Sequence, residues 1–161
     1  MKNPFKLLLR RLALGRRRSD VPHGITPLSR LRCATVLIDA EQQDAEATAG
    51  AARQFFGYHN IGVKILSPSK DDCNIIGGLK KSRRGEPFAA GDAEIFISLL
   101  DREDNFLSDN EAVHSRAVFK VGRREIPGKV YDMIILPPDG EKASQSAVFS
   151  AFKEYIIKIR E

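Results

Sequence analysis

Apolar and polar positions alternate along this chain in two distinct rhythms. Residues 33–40 (CATVLIDA) form a short, nearly continuous apolar run with β-branched members, the pattern of a strand covered on both faces. Residues 41–57 follow, rich in Glu, Gln and Ala, with Ala45, Thr48, Ala49, Ala52 and Phe56 recurring on one side of a helix. Residues 61–66 (IGVKIL) read as a second strand, and a helix of that length between them predicts a parallel βαβ unit. From 67 to 92 the rhythm is broken by Pro68, Gly77, Gly78, Gly85, Pro87 and Gly91, which predicts a long loop with a short apolar insertion at 73–76.

A third strand is expected at 94–100 (EIFISLL), then a short helix at about 108–115. Residues 117–121 (AVFKV) and 130–136 (VYDMIIL) read as two more strands, and only eight residues separate them. Parallel crossovers usually take a dozen or more residues, so an antiparallel hairpin or a loose edge is expected there. The turn PPDG at 137–140 precedes a closing helix from Ser144, expected to bury Val148, Phe152, Tyr155, Ile156 and Ile159. Together these elements predict a three-layer α/β fold on a mixed, mostly parallel sheet of about five strands.

The first 32 residues obey a different pattern. Asn3 and Pro4 suit a helix start and Gly15 an end; between them Phe5, Leu8, Leu9 and Leu12 share one side, with Lys2, Lys6 and Arg10 beside it. Arg16, Arg17 and Arg18 follow, and residues 19–27, with Pro22, Gly24 and Pro27, read as a linker that lets the arm move. The expected division is a basic helix and linker at 1–29 and one α/β domain at 30–161.

Charge sharpens that division. Residues 1–32 carry nine Lys or Arg against Asp20 alone, whereas residues 33–161 carry seventeen against twenty acids. The arm is thus +8 and the remainder −3, so the pI of about 9.4 belongs to the arm. Two cysteines, Cys33 and Cys73, are too few for a disulfide framework and favour a reducing, intracellular setting. Arg10 and Arg11 interrupt the one stretch similar to a signal peptide, and no window approaches the ~20 apolar residues of a membrane span. A cytoplasmic protein, peripheral at most to the inner face of a membrane, is the resulting expectation.

The run AVFKVGRREIPGKVYDMIIL, with the earlier VLIDA and the KSRRGEP loop, resembles a family of short uncharacterised Bacteroidetes proteins carrying a domain of unknown function. The matching elements are residues 36–39, 119–122 (FKVG) and 131–136 (YD followed by an apolar strand). The resemblance implies a small α/β domain behind a basic N-terminal helix, and no activity, cofactor or catalytic residue.

No motif specifies a reaction. Asp39 and Asp101 end the first and third strands, a layout similar to a response-regulator receiver, where such carboxylates hold a hard cation and accept phosphate. Against it, no lysine follows the fifth strand, and the bland reading is that both aspartates cap loops. His23, His59 and His114 stand apart in polar contexts and read as surface histidines. Lys80, Lys81, Arg83 and Arg84 form a second basic cluster that could bind phosphates, which Arg123 and Arg124 would join if the fold brings them close.

The arm is the better-supported site. Lys2, Lys6, Arg10, Arg11, Arg16, Arg17 and Arg18 can meet anionic headgroups or RNA phosphates, while Phe5, Leu8, Leu9 and Leu12 can enter a bilayer interface or pack on protein, including a second copy. The sequence therefore favours a binding or adaptor protein whose residues 1–18 contact an anionic surface, membrane ahead of RNA, over a metal-assisted phosphate enzyme using Asp39 and Asp101.

Overall fold

The computed structural model describes residues 4, 5, 8, 9, 12, 21–74, 77–100, 106–136 and 143–160. Five strands and three helices follow one another as β1 (Cys33–Leu37), α1 (Ala45–Tyr58), β2 (Gly62–Leu66), β3 (Glu94–Ser98), α2 (Phe106–His114), β4 (Phe119–Gly122), β5 (Met133–Ile134) and α3 (Gln145–Ile156). The sheet order is β2-β1-β3-β4-β5 and every neighbouring pair is parallel. This is the 2-1-3-4-5 order of doubly wound sheets, whose strand order reverses between β1 and β3.

Alternation along the strands feeds two cores. Ala34, Val36, Ile95, Ile97, Phe119 and Val121 point to the layer of α1 and α3, which supply Ala49, Ala52, Phe56, Val148, Phe149 and Phe152. Alanines on α1 let its axis approach the sheet, and the rings of Phe56, Phe149 and Phe152 fill the space between the two helices. Leu37, Phe96 and Leu100 point to the opposite layer, closed by Leu107, Ala112 and Val113 of α2 and by Leu79, Ile126 and Val130 from loops. Both faces being covered explains why β1 is buried at every position. Within α3 the expected Tyr155 is half exposed, and Phe149, one turn before Phe152, takes the core position instead.

The hairpin expected between β4 and β5 does not form. Val121 and Gly122 pair in parallel with Met133 and Ile134, so the whole sheet is parallel rather than mixed. Because β5 pairs only with the last two residues of β4, the connection retraces about two residues of strand, roughly 7 Å, and needs no helix to do so. Its Ile126 and Val130 pack on the α2 side, where a crossover helix would otherwise lie. Asn60, left-handed at φ 56°, ends α1, whereas Gly57 lies inside it. The long loop before β3 forms as expected, pinned by a bridge between Cys73 and Leu79; residues 75 and 76 of its apolar insertion lie outside the described residues.

Candidate functional site

Ligands of open parallel sheets bind beyond the carboxyl ends of the strands at the reversal of strand order. At that rim, the described loop after β1 is bonded to itself and to the start of α3. The Asp39 carboxylate accepts the Glu41 N–H at 3.0 Å and the Gln42 amide at 3.4 Å, both from its own loop. Buried Gln145, the first residue of α3, accepts the Asp39 N–H and donates to the Asp39 carbonyl, both at 3.0 Å, and donates to Asp44 at 3.1 Å. Burial pushes the Asp44 carboxyl up, but hydrogen bonds from Ser146 and Gln145 outweigh it and hold the group below its usual range. Asp101 lies outside the described residues. Among the described residues, no three His, Cys, Asp or Glu side chains converge to hold a metal ion.

On the α2 side, Ser98, Ser108 and Tyr131 share a hydroxyl chain, with 2.5 Å between the serine oxygens and 3.0 Å from Ser108 to the phenol. Burial pushes Tyr131 up to about 12, which keeps it a neutral donor or acceptor. Arg124 donates from Nη2 alone to both Asp109 oxygens at 3.0 and 3.1 Å, and Arg84 forks through Nε and Nη2 onto Glu111 at 3.1 and 2.8 Å, so both arginines dock on α2, each on its own acid. Burial raises the Asp109 carboxyl, with Arg124 opposing. In the second basic cluster, Lys80 donates to the Asp71 carbonyl and Arg83 pairs with Asp72 at 3.0 Å, while Lys81 is exposed. Arg123 donates to the carbonyls of Leu99 and Ala143. Most of these cations thus have protein partners.

The segments FKVG and YD form one unit. Asp132 accepts the Lys120 N–H through Oδ2 at 2.8 Å and returns its own N–H to the Lys120 carbonyl at 2.8 Å. The Tyr131 ring lies flat against Gly122, where a Cβ would stand 2.7 Å from its carbons. Lys120 is fully buried; its ammonium donates to the Ala112 carbonyl at 2.8 Å, one of the last acceptors of α2. The other Asp132 oxygen holds His23 at 2.7 Å, and the Gly24 N–H donates to the Val118 carbonyl at 2.8 Å. His23 is therefore not a surface histidine but a latch. Within residues 19–27, read as a linker, His23 and Gly24 are bonded at the amino-terminal end of β4.

Of the arm, Pro4, Phe5, Leu8, Leu9 and Leu12 are described, all helical. Phe5, Leu8, Leu9 and Leu12 are 66, 54, 44 and 50% exposed. Lys2, Lys6, Arg10, Arg11, Arg16, Arg17 and Arg18 lie outside the described residues. No described helix is long and apolar enough to cross a membrane. The sequence missed Gln145, Lys120 and the His23–Asp132 pair; of these, Lys120 stands as a charge inside the apolar run AVFKV, a signal that could have found it. No protein-family model matches the chain, and no curated protein or solved structure matches it.

Proposed function

We propose that this protein is a peripheral binder of anionic lipid surfaces and that residues 1–18 are its attachment element. The observation that carries this reading is the exposure of Leu8, Leu9 and Leu12, at helical spacing, in the segment that holds seven Lys or Arg and no acid. Leucines packed on the body would be covered; these retain about half of their surface, and a bilayer interface would bury it. Seven cations near a negative surface contribute on the order of 1 kcal/mol each at low ionic strength. RNA would satisfy the cations but leave the apolar side in water, which favours lipid.

The described body supplies support for the arm more than chemistry. Asp39, the candidate acid within the described residues, is held by its own loop, and Gln145 ties that loop to the start of α3. The test is co-sedimentation of the full chain at low salt with anionic vesicles, neutral vesicles and, in competition, single-stranded RNA. Binding to anionic vesicles alone, undiminished by RNA, is the expected result. Preferential capture by RNA, or equal sedimentation with neutral lipid, contradicts the reading.

A further inference from the structure

The arm is rooted at the strand amino-termini. Helices α1 and α3 both finish there, and between their ends and residues 27–29 lies an open groove of about 440 Å3, floored by Pro27, Leu28, Ile156 and Ile159 and edged by His59 and Arg160. Ile157, 55% exposed, also lines it, and Tyr58, 82% exposed, stands against the His59 ring at its edge. Contiguous exposed apolar side chains mark interaction surfaces, and tyrosine suits a place that is apolar on one side and wet on the other.

Charge at this end is also distinctive. Arg30, Arg32, Arg116, Lys158 and Arg160 are exposed there, against Asp92 and Glu154. The loop leaving β1 at the opposite end holds Asp39, Glu41 and Asp44 and no Lys or Arg. Exposed cations thus outnumber exposed acids at the strand amino-termini, and a negative surface would attract this end.

We infer that the amino-terminal end of the sheet is a second lipid-contacting face, with Tyr58 and Ile157 seated among anionic headgroups and the flanking cations on their phosphates. This rests on the arm's binding to an anionic bilayer. The latch of His23 on Asp132 supplies the coupling: it fixes residue 23 at this end. Leu12 and Val21 are nine residues apart, a reach of at most roughly 30 Å, so an arm in the interface holds this end within that distance of the surface. A lipid surface matches apolar side chains ringed by cations better than a second copy would, because two such faces repel.

The chain has no tryptophan, so a single introduced indole reports its own surroundings. Full-length Tyr58→Trp, Ile157→Trp, Leu9→Trp and, as the opposite-end control, Gln43→Trp are each mixed with phosphatidylglycerol vesicles containing brominated lipid. Blue-shifted, quenched emission from the position 58 and 157 indoles, with an unchanged signal at 43, supports the second face. A response at position 9 with silence at 58 and 157 overturns the second face and leaves the arm's role standing. Silence at all four overturns both. Emission at 58 already blue-shifted without vesicles, and more so as protein concentration rises, assigns the face to a second copy and overturns the lipid assignment.

Discussion

Replacing Lys120 by methionine tests whether the pillar between β4 and α2 is a buried charge. Burial pushes this lysine down from 10.5 to about 8, although Asp132 and Glu94 favour its charged form. At pH 7 the folded and unfolded chains both hold the proton, and the folded state bears a penalty of about 3 kcal/mol, at about 1.4 kcal/mol per pH unit of displacement. Between about pH 8 and 10.5 the unfolded chain binds more protons than the folded one, so stability rises with pH. Cys33, raised by burial from 9.0 to about 11, and Tyr131, raised from 10.0 to about 12, act in the opposite sense above pH 9 and 10. The clean window is thus pH 8 to 9, where the rise from Lys120 amounts to about 1 kcal/mol. Neutral-pH stability discriminates poorly, because Lys120→Met removes the penalty but leaves the Ala112 carbonyl unpaired at a cost of about 1–3 kcal/mol. Urea unfolding of both proteins across this window should show the rise in the native protein and its loss in the variant. An equal rise in both would refute the assignment of the buried charge.

Gly122→Ala places a Cβ 2.7 Å from the Tyr131 ring, so the ring must leave Ser108 or the strand must shift. A loss of about 1–3 kcal/mol is expected, and in a double-mutant cycle with Tyr131→Ala the two losses should add to less than their sum. Gln145→Ala removes three hydrogen bonds between α3 and the loop after β1, which should cost about 2 kcal/mol or more and speed amide exchange at Asp39. His23→Ala should release residues 21–27, seen as faster exchange of the Gly24 N–H that bonds Val118, with little change in the core amides of β1.

Much of the fold is legible because parallel strands buried on both faces must be apolar throughout and their crossover helices must carry an apolar stripe. Cys33–Leu37, Ala45–Tyr58 and Gln145–Ile156 all meet that requirement, and Ser144 caps the last by accepting the Ala147 N–H. The direction of β5 was not legible, since loop length alone does not reveal that only Val121 and Gly122 pair with it. Nor were the contacts that matter most at the arm's root. His23 and Asp132 are 109 residues apart and meet only once the sheet has formed. Local sequence marks the arm as cationic, but only the fold shows the end of the sheet from which it departs.

Direct partitioning of the arm's leucines into lipid is the decisive quantity. Leu8, Leu9 and Leu12 keep about half of their surface exposed, and sinking that half into a bilayer interface is worth about 1 kcal/mol each, or about a hundred-fold in partitioning for the three. Partition coefficients of the full chain and of its Leu8→Ser/Leu9→Ser/Leu12→Ser variant should therefore be measured on phosphatidylglycerol vesicles at one salt concentration. The account predicts a loss of about two orders of magnitude in the variant, with every cation still in place. Equal partitioning of the two proteins would contradict it.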